Sequence, residues 1–97
     1  MATLHLVFHP PRGPGVPAWF GRLRTGDAVF LLGDALHGIR ENGPWRSLVP
    51  PAEGTRFYAL KDDLLRRGIA APDGLNPVDD AGFVALAVEY RTSVTWS

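Results

Sequence analysis

The sequence predicts an α/β domain, a three-layer α/β/α arrangement around a mostly parallel sheet of about five strands. Three observations lead there. Short apolar or β-branched segments recur five times along the 97 residues. Segments of helical character fall between them, and such alternation feeds parallel strands through crossovers. The segment Ala28-Val29-Phe30-Leu31-Leu32 is apolar without a break, the pattern of a strand covered on both faces. The length suits one domain, 1–97, with a single core.

Leu4-His5-Leu6-Val7-Phe8 reads as the first strand. Residues 9–17 hold four prolines and two glycines, so they form a loop. A short helix is expected over 18–24, with Trp19 and Leu23 on one face, stopped at Gly26. The apolar run 28–32 is the second strand, and one helical turn follows over 35–40. Asn42-Gly43-Pro44 is a turn, and Pro50-Pro51 keeps the chain open until the third strand, 56–60. Asp62 and Asp63 begin a helix that Arg66 and Arg67 end. Acids first and bases last complement the helix dipole, and Gly68 suits a left-handed stop. Residues 75–78 form a weak fourth strand, which Pro77 pushes toward an edge or a strand start. Asp79 or Asp80 caps a helix over 81–90. That helix is apolar nearly all round, which fits packing on the sheet together with contact to another protein. Ser93-Val94-Thr95-Trp96 is the fifth strand.

Composition narrows the function. Hydrophobic residues at 45% exclude a disordered chain. Ten basic and ten acidic residues give zero formal net charge, so direct nucleic-acid binding is not expected. There is no cysteine, which removes disulfides, thiolate metal sites, cysteine nucleophiles and persulfide carriage together. The N-terminus has no secretory pattern and no run approaches the length of a membrane span, so a cytoplasmic location without membrane contact is expected.

Several residues are candidates for more than packing. His5 and His9 invite a metal pair, but four residues of strand separate them by roughly 13 Å, too far for one zinc; ordinary strand-end histidines are the expectation. Asp34 and His37 follow the second strand at its carboxyl end, where open α/β sheets place their sites. No cysteine or serine stands there to be activated, so a helix cap with a solvent-facing histidine is favoured over catalysis, and contact with a partner lies between the two. Gly33 and Gly38 lack the rest of a phosphate loop. Arg12, Arg22 and Arg24 make residues 1–26 basic, a patch for RNA phosphate or an acidic partner; a solvated face is favoured because the total charge is balanced. Trp45 is either an interface anchor or a loop residue folded onto the core. No catalytic, cofactor or metal residue is assigned and no cofactor is implied. Asp34, His37, Trp19, Phe83 and Trp96 are the candidate interface or ligand edge.

Pieces across almost the whole chain, in order, resemble the DsrH/TusB family. They are Leu4-His5, Gly26-Asp27-Ala28-Val29-Phe30-Leu31-Leu32 with Asp34, Phe57-Tyr58-Ala59-Leu60, Asp63-Leu64 with Arg67-Gly68-Ile69, Val78-Asp79 with Gly82-Phe83-Val84, and Val94-Thr95-Trp96. The first loop departs from the family, with Pro10-Pro11-Arg12-Gly13-Pro14 in place of a polar Ser-Pro-type segment. The resemblance implies a DsrE-like fold and a place beside two sister subunits, of the DsrE/TusD and DsrF/TusC types. Such complexes relay persulfide sulfur, for 2-thiouridine at the tRNA wobble position or for sulfur oxidation, with a DsrC/TusE-like protein as acceptor. Some members carry a cysteine in the first-helix region, where this chain has Ala18-Trp19-Phe20-Gly21. The sulfur would then sit on a sister, leaving this chain an architectural role. The alternatives are a stand-alone, homo-oligomeric small-ligand-binding domain of the same fold using the Asp34–His37 edge and, last, an enzyme working through that pair.

Overall fold

The computed structural model describes residues 2–49 and 54–97. Five strands form one sheet: β1 (Thr3–Val7), β2 (Ala28–Leu31), β3 (Arg56–Leu60), β4 (Leu75–Val78) and β5 (Thr92–Trp96). Every pairing is parallel, in the order β4-β3-β2-β1-β5. The apolar run read from the sequence is β2, buried at all four positions between β1 and β3. That is the environment in which uninterrupted Ala-Val-Phe-Leu is stable.

Side chains alternate across the strands and build two apolar layers. On one face, Val7, Val29, Leu31, Phe57 and Ala59 pack beneath Trp19, Leu36, Ile39, Trp45 and Leu64. On the other, Leu4, Ala28, Phe30 and Leu32 meet Phe83, Leu86 and Tyr90. The first cover comes from helix α1 (Lys61–Arg67) and three 3-10 segments, Ala18–Arg22, Gly33–Ile39 and Arg46–Leu48; the second is α2 (Asp80–Glu89). The three-layer α/β architecture therefore holds.

The 3-10 form of the first two helical segments differs from a simple helical reading. Each is a turn or two long, and Gly21, Gly33 and Gly38 lie in them. Glycine is costly inside an α-helix, and these glycine-bearing segments take the tighter 3-10 turn. The turn Arg46–Leu48 falls where the sequence suggested open loop. Pro50-Pro51 lies outside the described residues. Phe8 stands beyond β1 and is exposed, although its N–H donates to Trp96 O at 2.9 Å.

Trp45 resolves its two readings in favour of the core. It is buried, meets Trp19 edge to face at 5.2 Å, and its N–H donates to Gly38 O at 2.8 Å. A Cβ on Gly38 would overlap the Trp45 indole. Gly38 is thus a packing glycine, not part of a phosphate loop.

Both expected helix punctuations are present. Gly68 closes α1 in the left-handed conformation (φ 66°), and Asp79 Oδ1 accepts from Gly82 N–H at 2.8 Å to cap α2. Inward, α2 sets Phe83 against Phe30 at 4.8 Å. Outward it leaves Val84 58% and Val88 79% exposed.

The two sheet edges differ. β4 is four residues long and contains Pro77, which has no N–H to offer. β5 is five residues without a charge or a proline. Among the described residues, no helix is long and apolar enough to cross a membrane.

Candidate functional site

Two polar constellations stand out, one buried and one exposed. The buried one joins three strands. His5, in the middle of β1, and Asp27, just before β2, are both almost fully buried. His5 Nε2 lies 3.0 Å from Asp27 Oδ2. On the other side of the ring, Trp96 Nε1–H of β5 donates to His5 Nδ1 at 3.1 Å, and the two rings stack with centroids 6.3 Å apart. An indole nitrogen only donates, so Nδ1 accepts, and the ring proton sits on Nε2, facing the carboxylate.

Asp27 gathers further donors. Thr3 N–H donates to Oδ1 at 2.8 Å and Arg24 N–H to Oδ2 at 3.1 Å. Burial pushes the carboxyl up, but the bonds from Thr3, His5 and Arg24 outweigh it and hold Asp27 below the ordinary carboxylate value. One carboxylate thereby ties the start of β1, the exit of the first 3-10 segment and, through His5, the edge strand β5. A groove of about 430 Å³ runs past this hub between Arg22, Arg24 and Val94. Both imidazole nitrogens are engaged within the fold, one toward Asp27 and one toward Trp96, so the arrangement ties β1 to β5 and to the start of β2.

The exposed constellation contains the two residues singled out after β2. Asp34 does not cap. It lies inside the 3-10 segment, which has no side-chain cap, and its Oδ1 accepts from Arg67 Nη1 at 3.3 Å. His37 is half-exposed, with Nε2 3.8 Å from Asp34 Oδ1 and 3.5 Å from Arg67 Nη1. Its Nδ1 lies 3.3 Å from Arg40 Nη1. The structure thus joins Asp34 and His37 and adds Arg40 and Arg67. Sequence reasoning gave Arg67 only a dipole role and did not single out Arg40. The signal within reach was spacing, since Asp34, His37 and Arg40 recur every three residues, the repeat that aligns side chains on a 3-10 helix.

The other three residues of the expected edge lie elsewhere. Trp19 is wholly buried against Trp45 and Phe57, out of reach of any partner. Its Nε1 has no hydrogen-bond partner among the described residues. Phe83 is half-buried on the sheet side of α2, and Trp96 is half-buried over His5. His9 is separate from His5: its Nδ1 lies 2.9 Å from Pro10 O and its ring meets Trp45. It borders a pocket of about 340 Å³ beside the ends of β1 and β5, with Arg12, Trp45 and Trp96.

A parallel sheet covered by helical segments on both faces, with a polar hub buried at its β1–β5 side, defines a small three-layer α/β domain. The family model described as DsrH like protein matches residues 13–93, and the chain belongs to that family. Relatives called Protein TusB, from Salmonella paratyphi B (strain ATCC BAA-1250 / SPB7) and from Salmonella typhi, are 34% identical over 95 residues, covering 96% of this chain and 99% of each relative. Protein TusB of Salmonella dublin is 33% identical over the same share. Three of the sequence pieces that carried the resemblance, Leu4-His5, Gly26-Asp27 and Val94-Thr95-Trp96, are the ones that meet in the buried hub.

Proposed function

We propose that this chain is a non-catalytic subunit of a cytoplasmic sulfur-relay (sulfurtransferase) complex, supporting 2-thiouridine formation at the tRNA wobble position. Its partners are sister subunits of the DsrE/TusD and DsrF/TusC types, and the sulfur-carrying cysteine sits on a sister. The observation that carries this reading is a family match along nearly the whole chain in a sequence with no cysteine at all. A chain without a thiol cannot hold a persulfide, so its part in such a relay is to build and brace the assembly.

The outer face of α2 supports that role. Ala81, Val84, Ala85 and Val88 follow the spacing of one helical face, and all are exposed. An apolar stripe held open to water marks a contact surface, and burying it gains roughly 25 cal/mol per Å² of apolar area.

Co-expression with the two sister types, followed by size and composition of the purified species, tests the reading. A stable complex containing all three, in which only a sister becomes persulfidated after incubation with a cysteine desulfurase, is expected. A chain that remains alone in their presence, or that itself gains sulfur mass, overturns it.

A further inference from the structure

The geometry around His37 goes beyond that reading and does not depend on it. A neutral imidazole accepts one hydrogen bond, at its single unprotonated nitrogen. Here two guanidinium groups address the same ring from opposite sides, Arg40 at Nδ1 (3.3 Å) and Arg67 at Nε2 (3.5 Å). Whichever nitrogen carries the proton, one arginine N–H points at a ring N–H and lacks an acceptor there. The two cationic groups also stand within roughly 9 Å of each other, inside one Debye length at moderate salt. Among the described residues, Asp34 is the one carboxylate in ion-pair range of either, and it reaches only Arg67. Three donors, two of them charged, thus converge on an edge that offers them a single exposed carboxylate.

We propose that Arg40, His37 and Arg67 bind a phosphate dianion, free or carried as a monoester. Such a group presents three acceptor oxygens and two negative charges. It satisfies the arginine N–H that the ring cannot, accepts from the protonated imidazole nitrogen, and takes Arg67 from Asp34, whose exposed pairing at 3.3 Å is weak. Arginine suits this work because its planar fork matches phosphate oxygens two at a time. Room for the body of a monoester lies next door, in a groove of about 650 Å³ from Arg40 and Arg46 to Gly68 and Ala70. Arg46 is held in place by donating to Ile39 O at 2.8 Å. Glu41 also borders the groove, so the attached body is expected to be neutral or cationic beyond its phosphate.

The test is an NMR titration of the whole chain at constant ionic strength. Inorganic phosphate in one arm and a nucleoside monophosphate in the other replace sodium chloride. Saturable shifts of the His37 ring and of the Arg40 and Arg67 side-chain N–H signals are expected in at least one arm, and the arm that saturates at lower concentration identifies the source. Arg40→Gln and Arg67→Gln each weaken binding tenfold or more, Arg40→Lys weakens it less, and Asp34→Asn tightens it several-fold because the competing carboxylate is gone. These side chains reach solvent, and the backbone spectrum reports that each variant is folded. The proposal falls if neither arm saturates, if both glutamine variants bind as the parent does, or if Asp34→Asn weakens binding.

Discussion

The indole N–H of Trp96 donates to Nδ1 of His5 across 3.1 Å, and this bond fixes both the tautomer of a buried histidine and the seat of an edge strand. Trp96→Phe keeps the ring and removes the donor, leaving Nδ1 buried without a partner. A loss of about 1 kcal/mol in urea unfolding is expected, with faster amide exchange in β5 than in β2. Nitrogen NMR on the parent should find the His5 proton on Nε2. A proton on Nδ1 would remove the basis of this account.

Asp27 makes stability depend on pH in a definite direction. Its folded-state value is below the ordinary 3.8, so the native state favours the carboxylate. The contribution is complete above the unfolded value and is lost as pH falls through the lower, folded one. Unfolding in acid should therefore steepen below about pH 4. Asp27→Asn places an amide donor where the N–H groups of Thr3, His5 and Arg24 already converge. A cost of about 2–3 kcal/mol at neutral pH, with a flatter acid profile, is the expected outcome of urea titrations at both pH values.

Gly38→Ala puts a methyl group into the Trp45 indole. The ring must move off a packed site against Trp19, and overpacking of this kind costs about 1–3 kcal/mol. Near-ultraviolet circular dichroism should lose intensity with the stability. The same substitution at Gly21, where a Cβ meets nothing within 4 Å, serves as the control and should be nearly neutral.

The outward valines of α2 separate folding from assembly. Val84→Glu and Val88→Glu alter exposed positions, and the isolated chain should change by no more than about 0.5 kcal/mol. In co-expression with the sister subunits, either change should deplete this chain from the purified complex. Retention of full stoichiometry in both variants would move the contact surface elsewhere.

What the sequence disclosed followed local rules. β2 declared itself by an unbroken apolar run, α1 by its charge order and Gly68, and α2 by the Asp79-Asp80 pair, either of which could cap it, because each signal lies within a few residues of the element it marks. The buried hub was not legible in this way. His5, Asp27 and Trp96 meet only once the register of β5 on β1 is set, across a separation of 91 residues. Arg40 and Arg67 converge on His37 for the same kind of reason, since α1 must first dock beside the Gly33–Ile39 segment. Trp45 looked like a loop residue because the glycine that receives it is seven positions away and says nothing by itself.

The placement of β5 also has a meaning in time. β2, β3 and β4 each join the sheet beside the strand made just before, whereas β5 crosses to the far side and pairs with the first. Closing that loop costs roughly 1 kcal/mol more in chain entropy than closing the link between β1 and β2. During synthesis, β1 therefore waits with one flank bare until β5 emerges. The interval before Trp96 finds His5 is when the nascent chain is most open to pairing with a stranger.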